Sequence, residues 1–202
     1  MLLTGQSLEA SLDRVRKFLF EVVQSKGRHG SSSKSIPILY VCGATGCGKS
    51  MGVDMCCSDL LQTVNADLQE WESPPQICYL NSSVLQKLTH KQALETTFQR
   101  MGVSAKRLHR SKSTEATTRS AFILILDEVD LLISSKGLEG YLRTLLSLAS
   151  NENTYLSVIG IANSVDNQKA RRLNELGFVS FDLPFNLHSY DLSPHHLLYI
   201  FV

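Results

Sequence analysis

Residues 43–50 read Gly-Ala-Thr-Gly-Cys-Gly-Lys-Ser, and no other stretch of the chain restricts its fold as much. The octapeptide directly follows an apolar run, Ile38-Leu39-Tyr40-Val41-Cys42, and opens a helix-like stretch from Met51 to Asn65. Glycines let the backbone turn tightly and aim its N–H groups inward, at phosphate oxygens. The helix that follows adds free N-terminal N–H groups and a partial positive charge to the same anion. Lys49 is placed to reach β- and γ-phosphates, and the Ser50 hydroxyl to ligate Mg²⁺. Gly43, Ala44, Thr45, Gly46, Cys47, Gly48, Lys49 and Ser50 are therefore the candidate triphosphate-binding residues. The strand before and the helix after separate this motif from a glycine-rich turn carrying a chance lysine.

Four more short apolar runs follow: Ile77 to Leu80, Phe122 to Leu126, Leu156 to Ile161, and Phe178 to Phe181. Their hydrophobicity is nearly continuous rather than alternating, as expected of strands covered on both faces. Helix-like segments lie at Met51 to Asn65, Leu85 to Arg100, Leu138 to Ser150 and Asn167 to Leu176. Alternating strands and helices predict a three-layer α/β domain with a five-stranded parallel sheet and right-handed crossovers. Ahead of it, Leu8, Leu12, Val15, Leu19 and Val22 recur at helical spacing, an amphipathic helix. Ser25 to Ser35 is a polar, glycine- and serine-rich loop.

The run Phe122-Ile123-Leu124-Ile125-Leu126 ends in Asp127-Glu128. In open α/β sheets ligands bind outside the carboxyl ends of the strands, which is where these acids fall. Asp127 is the candidate to hold Mg²⁺ opposite Ser50, and Glu128 to polarise an attacking water. Taken alone, the pair also fits a polar strand end or a helix N-cap; the phosphate loop upstream favours the catalytic reading.

The 202 residues carry a net charge of +1, which gives no global field toward nucleic acid or membrane. No run approaches the roughly 20 apolar residues of a membrane span, and the N-terminus is too briefly apolar for a secretory signal. The five cysteines lack Cys-x-x-Cys pairing and read as reduced, mostly apolar fillers of a protein that is not secreted. Cys42 and Cys47 flank the phosphate loop, so their oxidation is a hazard to nucleotide binding. Lys106-Arg107-Leu108-His109-Arg110-Ser111-Lys112 is a local basic cluster. It has no interleaved aromatics for base stacking, and a solvated loop is the competing reading.

The wording around these motifs has a likeness. Leu39-Tyr40-Val41-Cys42-Gly43, Leu126-Asp127-Glu128-Val129-Asp130-Leu131-Leu132, Ser135-Lys136-Gly137 through Tyr141, and Val158-Ile159-Gly160-Ile161-Ala162-Asn163-Ser164-Val165-Asp166 carry it. They resemble the AAA+ ATPases, and among them the replication-initiator branch: the largest origin-recognition subunit and the cell-division-control licensing ATPase. The fourth segment resembles the sensor 1 strand of that branch. Physically, an amide at Asn163 beside the Asp127 strand end can hydrogen-bond a γ-phosphate or the attacking water; alone, it also fits a turn after a strand.

The resemblance implies an ATP-binding module that works with Mg²⁺ in origin recognition or replicative helicase loading. Lys49, Asn163 and Glu128 would be its catalytic residues, Ser50 and Asp127 its metal residues. Hydrolysis would need partner origin-recognition or helicase-loading subunits. The ATPase domain would contribute weakly to DNA contact, without a membrane, in the nucleus of a eukaryote or otherwise in the cytoplasm. The alternatives are a non-hydrolysing ATP-binding assembly subunit or truncated paralogue, and another AAA+ machine such as a clamp loader. Two departures stand out. The stretch Asn167 to Gly177 matches poorly the family's arginine that reaches a neighbouring subunit, leaving Arg171 or Arg172 as candidates or as ordinary surface residues. The expected division is residues 1–35 as N-terminal helix and basic loop, 36–185 as ATPase core, and 186–202 as a connection toward an absent lid, with the winged helix also absent.

Overall fold

The computed structural model describes residues 5–27, 38–43, 45–46, 48–66, 74–104, 120–134, 137–151, 154–163, 172 and 199–201. Helix α1 spans Gly5–Gly27, strand β1 Ile38–Cys42, and α2 Lys49–Ala66. After β2, Gln76–Asn81, a 3-10 turn at Ser82–Leu85 leads to α3, His90–Arg100. Then come β3, Phe122–Asp127; α4, Asp130–Ser134; α5, Glu139–Ser150; β4, Leu156–Ala162; and β5, Tyr199–Phe201.

The strands are parallel wherever they pair and stand in the order β2-β3-β4-β1-β5. From β1 the chain leaves toward β2 at one edge, while β5 lies on the other side of β1. This reversal opens a crevice at the carboxyl end of β1, where open α/β sheets bind ligands. Alternate strand residues feed two cores. Leu39, Val41, Ile123, Ile125, Ile159 and Ile161 pack against buried residues of α1 and α2. Tyr40, Cys42, Leu124, Leu126, Val158 and Ala162 pack against α3, α4 and α5 on the opposite face. Burial on both faces explains the continuous apolar runs, and the result is the expected three layers.

Four of the five forecast strands are in the sheet, and the fifth, at 178–181, lies outside the described residues. The sheet's fifth member is instead Tyr199–Phe201, whose register sets Tyr199, Ile200 and Phe201 beside Tyr40, Val41 and Cys42. It falls in the stretch expected to be only a connection. The single helix forecast from Leu85 to Arg100 is broken for a local reason. Thr89 caps α3: its hydroxyl accepts the Gln92 N–H while the Gln92 side chain takes the Thr89 N–H, a capping box that starts the helix afresh. The helix forecast over 167–176 lies outside the described residues except for Arg172. So do the cluster 106–112 and, in the phosphate loop, Ala44 and Cys47.

Candidate functional site

The site begins where β1 ends. Gly46 and Gly48 have φ of +79° and +87°, left-handed backbone that glycine adopts without steric cost and that turns the loop into α2. Gly48 then joins the helix ladder by accepting the Gly52 N–H at 2.8 Å. Lys49 is buried, and its Nζ donates to the Gly43 carbonyl at 3.1 Å, so the ammonium lies folded back against the loop it serves. Ser50, in the first turn of α2, donates its hydroxyl to Oδ2 of Asp127 at 2.8 Å. Two segments 77 residues apart in sequence thus meet at the pair the sequence assigned to one cation.

Asp127 is held from several directions. Its Oδ1 accepts the backbone N–H of Glu128 at 2.9 Å. Its Oδ2 also accepts the hydroxyl of Tyr79, on β2, at 2.6 Å. Burial, and then this bond to the carboxylate, push the Tyr79 phenol up to about 12, so it remains a donor at any physiological pH. The sequence reading missed Tyr79, which was hidden inside an apolar strand run. Glu128 follows with φ of +56°, a left-handed conformation for a side chain with a Cβ. The turn there is tied to β4 by the Val129 N–H, which donates to the Ile161 carbonyl at 2.9 Å.

Asn163 stands just past the carboxyl end of β4 and is half-buried. Its backbone N–H donates to Oδ1 of the buried Asp130, at 3.3 Å. In the sequence Asp130 is only part of the resembling run 126–132; in the fold it links the acid-ended turn to the residue after β4. Arg172, one of the two arginine candidates, forms a 3.0 Å ion pair with Glu139 on α5 and is largely exposed.

The donor set suits Mg²⁺. A hydroxyl and a carboxylate are hard oxygen donors, and Mg²⁺ typically takes one or two protein oxygens and fills its shell with phosphates and water. Among the described residues no group of three or more His, Cys, Asp or Glu is gathered around a point. A cation here would therefore come with the nucleotide rather than sit in a protein cage. Among the described residues Cys42, Cys56, Cys57 and Cys78 are not joined in disulfides. Among the described residues no helix is long and apolar enough to cross a membrane.

A glycine-rich loop between an interior parallel strand and a helix, facing the acid-ended strand two places away in the sheet, defines a P-loop nucleotide-binding domain. Residues 39–178 match the model of the ATPase family associated with various cellular activities (AAA), and the chain belongs to that family. Its fold is similar to that of the Aeropyrum pernix ORC1 protein in complex with DNA, with a TM-score of 0.54 and 20% identity. That match covers 85% of this chain and 43% of the other. The Aeropyrum pernix ORC2 protein, solved as ADPNP-ADP complexes, gives a TM-score of 0.55 at 15% identity, over 87% of this chain and 44% of its own. The chain thus spans less than half the length of these solved structures. Comparison with curated protein sequences gives no match.

Proposed function

We propose that the chain is the ATP-binding module of a DNA replication initiator, acting in origin recognition or replicative helicase loading and hydrolysing ATP when assembled with partner subunits. The observation that carries it is the Ser50–Asp127 bond at 2.8 Å, which joins the phosphate loop to the acid-ended strand. The sensor-like wording up to Asn163 and the fold shared with two archaeal initiators support the choice of branch.

In this reading the N–H groups of residues 43–50 cradle the phosphates and the Lys49 ammonium turns from the Gly43 carbonyl onto the terminal ones. Ser50 and Asp127 are the residues that would hold Mg²⁺, which when bound offsets negative charge on phosphate oxygens. Glu128 orients and accepts a proton from the attacking water, and Asn163 steadies the terminal phosphate or that water. The charge still lacking comes from an arginine of a neighbouring subunit, so the isolated chain turns over slowly.

Binding of a fluorescent ATP analogue to the wild type and to Lys49→Ala is the primary test. At least a tenfold loss is expected in the variant, in line with a charge-assisted contact worth roughly 1.5–3 kcal/mol. Equal and negligible affinity in both would sink the proposal. Hydrolysis is read in single turnover with origin-complex partners added. Glu128→Gln should then cost roughly 10²- to 10⁴-fold in rate without loss of binding. A second reading, a non-hydrolysing assembly subunit, is favoured by the pairing of Arg172 with Glu139 within the chain. It predicts partner-dependent binding with no turnover in either protein.

A further inference from the structure

Asp127 receives one of its hydrogen bonds from a strand that carries no nucleotide motif. Oδ2 takes the Ser50 hydroxyl at 2.8 Å and the Tyr79 hydroxyl at 2.6 Å, while Oδ1 takes the Glu128 N–H. The Tyr79 bond is the shorter of the two hydroxyl contacts, in the range of a charge-assisted O–H···O⁻ bond. Register explains the reach. Tyr79 lies opposite Ile125 and Asn81 opposite Asp127, so Tyr79 shares the α2 face with Asp127 as its diagonal neighbour. An aromatic side chain can span that diagonal. Packing alone does not account for the residue, which is 41% exposed at the edge of the sheet. The polar end, not the ring, has the defined partner.

We infer that Tyr79 is a positioning residue for the magnesium half of the site, its hydroxyl fixing the Asp127 carboxylate in the orientation that Ser50 and the cation require. The inference rests on the reading of residues 43–50 and Asp127 as a magnesium–nucleotide site. Tyr79 acts through Asp127. A carboxylate bonded by two hydroxyls and a backbone N–H has little freedom to rotate. With one hydroxyl removed it keeps its place in the strand but loses part of its preorganisation, as when an outer-shell partner of a metal ligand is lost. The phosphate cradle, built from loop N–H groups and Lys49, does not depend on this bond. Cation-dependent and cation-independent nucleotide binding should therefore separate.

The test uses the whole chain, N-methylanthraniloyl-ATP as probe and MgCl₂ as titrant. Tyr79→Phe keeps the ring and removes only the hydroxyl. It should need about tenfold more Mg²⁺ to reach half of the magnesium-dependent gain in affinity. Affinity in EDTA should match the wild type. In an Asp127→Asn background, adding Tyr79→Phe should change the magnesium curve no further. An unchanged curve in the single variant overturns the inference, as does an equal loss with and without Mg²⁺ or full additivity in the double variant. A wild type that binds no nucleotide in either condition overturns the underlying site reading and this inference with it, an outcome distinct from the other three.

Discussion

Glu128 has its backbone in the left-handed region, at φ of +56°, between the end of β3 and the start of α4. The local bonds over-determine that conformation: Asp127 Oδ1 accepts the Glu128 N–H, the Glu128 carbonyl accepts the Leu131 N–H, and Val129 is tied to Ile161. For a residue with a Cβ the conformation costs roughly 1–2 kcal/mol, because Cβ crowds the following carbonyl oxygen. At an ordinary position glycine is about 0.5–1 kcal/mol less stable than alanine; here the order should invert. Urea unfolding of Glu128→Gly and Glu128→Ala, which both lack the carboxylate, isolates the backbone contribution. We expect the glycine variant to be the more stable by about 1 kcal/mol, and alanine equal to or better than glycine would contradict the strain. Strain of this kind gathers where function fixes a side chain, and Glu128 was legible in the sequence as the residue after the candidate metal-binding acid. Ser50 and Asp127 were equally legible, because motif spacing encodes their meeting. Tyr79 was not. Its partner depends on the β2–β3 register, which a run such as Ile77-Cys78-Tyr79-Leu80 does not specify.

At the level of elements, α1 and α2 pack on the sheet face that carries Asp127. Gly52, one turn into α2, marks their close approach: a Cβ there would lie 3.0 Å from Leu12 Cδ2. Arg16 reaches Asp59 across the same pair at 3.4 Å, and the Cys56 thiol contacts the Leu12 carbonyl at 3.6 Å. In Gly52→Ala two effects oppose each other. Removing a helix-interior glycine gains about 1 kcal/mol, while the added methyl displaces a buried leucine tip. Because that tip is the end of a flexible side chain, the variant should melt within a few degrees of the wild type. Gly52→Leu has no such escape and should lose about 1–3 kcal/mol by overpacking. A Gly52→Leu protein as stable as the wild type would show that α1 is not seated on α2. Sequence periodicity revealed α1, because its apolar residues recur on one face, while α2 was read as the helix-like stretch that follows the phosphate loop. It did not reveal the break before α3, where Thr89 and Gln92 restart the helix through hydrogen bonds rather than hydrophobic pattern. Nor did it single out Tyr199–Phe201, whose three residues are too few for a pattern and acquire their role by pairing with β1.

Across the whole molecule, one sheet separates two cores, and each core buries a group that resists losing its proton. Cys57, on α2, is pushed up from 9.0 to about 12, by burial first and then by Cys56 and Asp54. Tyr141, on α5 in the opposite core, is raised from 10.0 chiefly by burial, with a hydrogen bond to Thr97 pulling the other way. Cys78 is raised by burial as well, against the opposing charge of Arg100. The sign follows from proton counting. Above the unfolded values the unfolded chain has released these protons and the folded chain retains them, so rising pH favours unfolding. For Cys57 the loss should begin near pH 9 and run to about 12; for Tyr141 it begins near 10. Each fully retained proton steepens the decline by up to about 1.4 kcal/mol per pH unit. Because both cores share the sheet, a single cooperative transition should report both groups. Urea midpoints measured from pH 8 to 11 should therefore be level at first and fall above 9. Cys57→Ala should flatten the earlier part of the fall and Tyr141→Phe the later part, each from its own baseline at pH 8. A midpoint that stays level to pH 11, or the same slope in both variants as in the wild type, would mean that these protons are not held by the fold.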